Sequence, residues 1–197
     1  MSRFAWRMLF GASILVAVVC GFLYGWNQRA ENPPFVTVIR SDDPPEMKLL
    51  RKGRYDEAVT AVLDSIKDEK KDYLRYQTVA VIYYSRAQHD PPNREKWAAQ
   101  AATYVDKSVS LAPHDFLNLM EAASMFDHLG DASSQSCADY EKAQRYAQDS
   151  VSDLKGDSVV AGDEKMPSQP IREAVEKLLK KIQGKMQSKC ESKPQTH

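Results

Sequence analysis

Two patterns of apolar positions organise this chain: one unbroken run near its start, and a set of helical faces that recur further on. Residues 8–26, from Met8 to Trp26, carry no charge. Wound as a helix, that run is about 28 Å long, close to the ~30 Å hydrocarbon thickness of a bilayer. Arg3 and Arg7 precede it, and Tyr24 and Trp26 close it with rings suited to the membrane interface. The pattern predicts a single transmembrane helix within an N-terminal unit of residues 1–29.

A charged start and an apolar middle also suit a cleaved signal peptide. The best small-residue stretch, Val19-Cys20-Gly21, is followed at once by Phe22, Leu23 and Tyr24, which makes a poor cleavage site. The run therefore reads as an uncleaved anchor, with export after cleavage as the alternative. Arg3 and Arg7 lie before the span, and Arg29 and Arg40 after it are diluted by Glu31, Asp42 and Asp43. A short leader stays readily in the cytoplasm, so the C-terminal body is expected on the extracytoplasmic side, the periplasm if the source is bacterial. Ser13, Ala17, Gly21 and Gly25 recur at every fourth position. They form a narrow stripe of small residues, a possible packing face for self-association or for another membrane protein. Such pairs are also common in membrane helices that only anchor.

Residues 30–44 read as an extended linker, with Phe35 to Ile39 set between Pro33-Pro34 and Pro44-Pro45. Beyond it, Tyr76-x-x-Val79-Ala80-x-x-Tyr83 returns as Leu119-x-x-Ala122-Ala123-x-x-Phe126, 43 residues later. Positions i, i+3, i+4 and i+7 share one face of a helix, and the small residue lets a neighbour approach closely. A second face recurs at the same offset: Ala58, Val62 and Ser65, then Ala101, Val105 and Ser108. A shifted copy follows at Ala143, Ala147 and Ser150. Helix pairs of repeating pattern predict an all-α, solenoid-like body over residues 45–154.

These residues resemble the tetratricopeptide repeat. Tyr76, Val79, Ala80, Tyr83, Ala101, Val105, Ser108, Leu111 and Pro113 follow its pattern once. Leu119, Ala122, Ala123, Phe126, Ala143, Ala147 and Ser150 follow it again. Gly53-Arg54-Tyr55-Asp56-Glu57-Ala58 is similar to the turn between the family's two helices. The departures are a period of 43 where about 34 is usual, Glu46 where a small residue is expected, and Lys155 in place of a closing proline. The excess contains the breaker His89-Asp90-Pro91-Pro92-Asn93 in one pair. In the next it contains Gly130-Asp131, read as a helix stop and a new cap. The resemblance implies an inner surface for a protein partner. Leu74, Gln77, Val81 and Tyr84 would line it from one pair, and Leu117, Met120, Ser124, Asp127 and His128 from the next. Some of these could equally be core.

After a stretch of residues 155–168 read as a loose linker, Ile171, Val175, Leu178, Leu179, Ile182 and Met186 recur at helical spacing. They predict an amphipathic helix over residues 169–188, capped by Ser168, that covers the open end of the repeats. Residues 189–197 read as a polar tail.

Composition adjusts this picture. Past Arg29 the chain holds 24 Lys and Arg against 27 Asp and Glu, so a nucleic-acid partner is not expected. Cys20 lies in the span. Cys137 and Cys190 could pair if the body is exported, although the polar surroundings of Cys190 speak against it. The histidines His89, His114, His128 and His197 lack ligand spacing, and His128 stands nine residues from Cys137, so no metal is expected. Asp115 beside His114 and Asp127 beside His128 are sequence neighbours. On a helix such neighbours diverge by about 100° and make no dyad. Ser133-Ser134-Gln135-Ser136 reads as a polar turn, the charge run 67–71 as a solvated helix end, and no phosphate loop occurs. No enzyme and no cofactor are expected. The reading is a membrane-tethered scaffold or adaptor, one that could assist secretion or envelope assembly. The alternative is an accessory domain of an envelope enzyme, or an enzyme whose site the pattern does not reveal.

Overall fold

The computed structural model describes residues 44–161 and 164–191. The leader, the expected span with Ser13, Ala17, Gly21 and Gly25, and nearly all of the linker lie outside these residues, as does His197. No helix among the described residues is long and apolar enough to cross a membrane.

The described body is all-α apart from one short pair of strands. In chain order come α1 (Pro45–Arg51), α2 (Tyr55–Asp64), α3 (Tyr73–His89), α4 (Arg94–Leu111), α5 (Phe116–Ala132) and α6 (Ser136–Asp153). Strands β1 (Ser158–Ala161) and β2 (Glu164–Pro167) follow, then α7 (Ser168–Met186) and a π-helical turn, Gln187–Glu191. Helix α1 opens on proline, whose fixed φ suits a first turn. It ends where Gly53 takes φ +71°, a left-handed conformation that glycine adopts without steric cost. Helix α3 stops at His89, before a 3-10 turn of Pro91–Asn93. The carboxylate of Asp115 caps α5 by accepting the Asn118 N–H at 2.8 Å.

Consecutive helices pack against one another, and contacts also run from α3 to α5 and from α5 to α7. Odd-numbered helices thus form one row. Arg75 joins α3 to Glu46 of α1 at 2.8 Å, and Gln77 joins α3 to Asn118 of α5. Even-numbered helices α4 and α6 meet through Asp106, which accepts from Lys142 at 2.6 Å and from Tyr146 at 2.9 Å. The recurring faces supply the core. Tyr76, Val79, Ala80, Leu119, Ala122, Ala123 and Phe126 are buried, as are Ala101, Val105, Ala143 and Ala147. Tyr83 is half-buried. It stacks on Tyr104 and Trp97 with ring centroids 5.6 and 6.1 Å apart.

Several expectations change. Gly130 does not stop a helix, because α5 runs on to Ala132. A Cβ at Gly130 would lie 2.5 Å from Tyr140 Cε1, so glycine is required for the close approach of α5 and α6. The stretch 155–168 is not a loose linker. Its residues Ser158–Ala161 and Glu164–Pro167 pair as antiparallel strands, Ser158 with Pro167 and Ala161 with Glu164. Ser168 does not cap α7; its hydroxyl donates to the Gly156 carbonyl at 2.6 Å. Residues 67–71 are exposed, but they form the turn between α2 and α3 rather than a helix end.

Candidate functional site

The side of the body formed by α3 and α5 carries the residues expected to meet a partner. Leu74 and Val81 of α3 lie on one stripe, since seven residues complete two turns. Leu117, Glu121, Ser124 and His128 form the matching stripe of α5. Leu74, Val81, Tyr84, Leu117, Met120, Ser124 and His128 are all half-buried. They are neither wholly enclosed nor wholly in water. Three contacts fix the two helices side by side. The Tyr73 hydroxyl donates to Asp115 Oδ2 at 2.5 Å, Gln77 Nε2 donates to Asn118, and the Tyr84 and His128 rings lie 5.8 Å apart.

Two of the nine expected residues serve a different purpose. Gln77 is buried, and its amide is consumed by the Asn118 carbonyl at 2.8 Å and the Asn118 side chain at 2.5 Å. Asn118 itself donates to the carbonyls of Ser108 and Ala112 and accepts from the Ser108 hydroxyl. This network ties α3, α4 and α5 together and uses the Gln77 amide nitrogen for packing the helices. Asp127 is 1 % exposed. Its two oxygens accept from Lys181 at 2.8 Å and Lys185 at 2.7 Å, so it anchors α7 rather than facing a partner.

Helix α7 is fastened along the same edge. Lys185 also reaches Asp131 at 2.5 Å, and Lys189 reaches Asp131 and the Tyr140 hydroxyl at 2.7 and 2.8 Å. Lysines at positions 181, 185 and 189 project from one face, and Asp127 and Asp131 from the facing helix, each series at a spacing of four. Burial works to raise the Asp131 carboxyl. Its bonds from Lys185, Lys189 and Tyr140 outweigh that and hold it below the ordinary carboxylate range. Beyond this ladder Cys190 forms a disulfide with Cys137 of α6, with Cα atoms 5.7 Å apart. The expected polar tail therefore begins as a covalently fixed turn. The pairing that the surroundings of Cys190 argue against is present.

Sequence reasoning passed over Glu121 and Tyr73. The signal for Glu121 was its place four residues after Leu117 and seven before His128. Burial, reinforced by the negative charge of Asp115, pushes the Glu121 carboxyl up to about 7. Burial, with the charges of Lys181 and Lys185, pushes the His128 imidazole down to about 4 against the opposing pull of Asp127 and Asp131. Burial, then the bond to Asp115, raises the Tyr73 phenol. The face therefore mixes the apolar Leu74, Val81, Leu117 and Met120 with a neutral imidazole at the C-terminal end of the α5 stripe and the carboxyls of Asp115 and Glu121 toward its N-terminal end.

Among the described residues no group of His, Cys, Asp and Glu is arranged to hold a metal ion. Cys137 is consumed by its disulfide, and His114 Nδ1 lies at the surface, 3.6 Å from Asp153 Oδ2. No family model, curated protein or solved structure matches this chain.

Proposed function

We propose that this protein is a membrane-tethered interaction module. In this reading a short solenoid similar to tetratricopeptide repeats is held by the span at residues 8–26, and its inner face takes a protein partner. Helices α1, α3 and α5 are the inner helices of successive pairs, and α7 occupies the place of the next one and closes the stack. The observation that carries the reading is the half-buried stripe of Leu74, Val81, Tyr84, Leu117 and Met120. Those side chains lie beside a complete core, yet remain partly open to water. The Cys137–Cys190 disulfide supports an extracytoplasmic body, because such bonds persist in oxidising compartments. The small-residue stripe of the span, Ser13, Ala17, Gly21 and Gly25, would add self-association or a contact with a membrane partner.

Site-specific photocrosslinking in native membranes tests the reading. A photoreactive residue at Leu74 or Leu117 should yield a discrete adduct, and one at the exposed Thr103 of α4 should not. Equal adducts at all three positions, or none at the inner two, would refute it. Alkaline extraction should leave the chain in the membrane fraction.

A further inference from the structure

Every other carboxylate of α1, α3 and α5 has its cation among the described residues. Glu46 of α1 pairs with Arg75, and Asp127 of α5 pairs with Lys181 and Lys185. Glu121 breaks that rule. No hydrogen bond or ion pair joins its half-buried carboxylate to another described residue, and the one charge that bears on it is that of Asp115. Asp115 has hydrogen-bond donors, the Asn118 N–H and the Tyr73 hydroxyl, but no cation either. The N-terminal part of the α5 stripe thus carries two carboxylates on either side of Leu117, with no cation among the described residues to balance them.

We propose that this face binds an apolar polypeptide segment carrying one lysine or arginine. The cation pairs with Glu121, and the flanking apolar side chains lie on Leu74, Leu117 and Val81. The inference rests on the reading of the face as a partner groove and adds the chemistry of the partner. A carboxylate drawn partly out of water without a partner is unfavourable, and an arriving cation removes that penalty. An apolar segment without a charge would leave it in place. The positive charge must meet an ionised Glu121, so binding takes a proton off the protein at pH 6 and costs none at pH 8. Tyr73 of α3 and Asp115 at the head of α5 are the titratable groups facing Glu121. Among the described residues α4, α6 and α7 bring no charge to bear on it.

A random peptide library displayed on phage, selected at pH 8 on the full-length protein in lipid nanodiscs, supplies the probe. Selected sequences should converge on a single Lys or Arg flanked by apolar residues, and Leu117→Asp should abolish their binding. A synthetic peptide of the consensus should bind Glu121→Gln about tenfold more weakly than the parent protein. The same loss should follow on the parent protein when norleucine replaces the peptide's basic residue, an arm that holds even if Glu121→Gln folds poorly. Both changes should flatten the tightening between pH 6 and pH 8. Selected peptides that need Leu117 but carry no basic residue, or that bind unchanged after the norleucine exchange, would overturn the proposal and leave the groove intact. Peptides indifferent to Leu117→Asp, or no selected peptides, would overturn both.

Discussion

Lys185 Nζ lies 2.7 Å from Asp127 Oδ1, and the carboxylate it meets is 1 % exposed. Lys181 takes the second oxygen, so among the described residues a nearly buried charge is balanced by two lysines of α7. Removing the carboxylate deprives Lys181 of its partner while Lys185 keeps Asp131, and removing a lysine strands part of a buried anion. Asp127→Ala is expected to destabilise the body by about 1–3 kcal/mol, since it removes charge-assisted hydrogen bonds but leaves no buried charge unpaired. Lys181→Ala, whose lysine is more exposed, should cost less than 1 kcal/mol. Urea denaturation of each variant checks the order; equal losses would mean that the pair contributes little to holding α7.

The disulfide closes the same edge covalently. It joins residues 53 apart in sequence. Loop-closure entropy for a ring of that size amounts to about 4 kcal/mol, of which strain and residual structure in the unfolded chain commonly remove part. Reduction, or Cys137→Ser with Cys190→Ser, is expected to lower stability by about 2–4 kcal/mol. It should also make the segment beyond Met186 the first site of limited proteolysis. Protease patterns that do not change on reduction would show that the lysine ladder alone fixes the turn.

At the crossing of α5 and α6, Gly130 faces the Tyr140 ring, which is fully buried and bonded through its hydroxyl to Asp131 at 2.7 Å. A methyl group there has nowhere to go unless a helix shifts. Gly130→Ala gains roughly 1 kcal/mol in helix propensity and loses about 1–3 kcal/mol to overpacking. A net loss of thermal stability is expected. A net gain would show that the two helices can separate freely.

The parts of this fold that were legible are those written in local spacing. Tyr76, Val79 and Ala80, and again Leu119, Ala122 and Ala123, state a helix face and its close neighbour within eight residues each. The Gly53 turn is legible because glycine takes a left-handed conformation, here φ +71°, at no steric cost. What stayed hidden depends on residues far apart in sequence. Asp127 sits at an inner-face position by its spacing, and only the docking of α7 turns it inward onto two lysines. Cys190 has polar neighbours in the chain, but one of them, Lys189, is itself bonded to Asp131 and Tyr140, and the π turn brings the Cys190 sulfur to Cys137 of α6. Gly130 reads as a helix stop in one dimension and as a contact in three. The strands β1 and β2 have four residues each, too short to show alternation. For the candidate site, the resemblance pointed to residues that are half-buried here but not to Glu121, whose significance lies in lacking a counter-charge.

Glu121 and His128, seven residues apart on one stripe, should pull stability in opposite directions with pH. The Glu121 carboxyl is raised to about 7, above its unfolded value, so the folded protein holds a proton there that the unfolded chain releases. Stability from this group falls as pH rises from about 4.5 to 7. The His128 imidazole is lowered to about 4, so the folded protein lacks a proton that the unfolded chain binds. Stability from this group falls as pH drops from about 6.5 to 4. Between those limits the two slopes offset each other, and the parent protein should show a flat profile. Glu121→Gln removes one of them. It is expected to raise stability at pH 8 by on the order of 1–2 kcal/mol, allowing for solvent screening of a half-buried group, and to change it little at pH 4.5. His128→Gln should do the converse, with its larger gain on the acid side. Denaturation midpoints of the parent and both variants between pH 4.5 and 8 decide the matter: parallel curves for all three would mean that neither group titrates differently in the folded and unfolded chain.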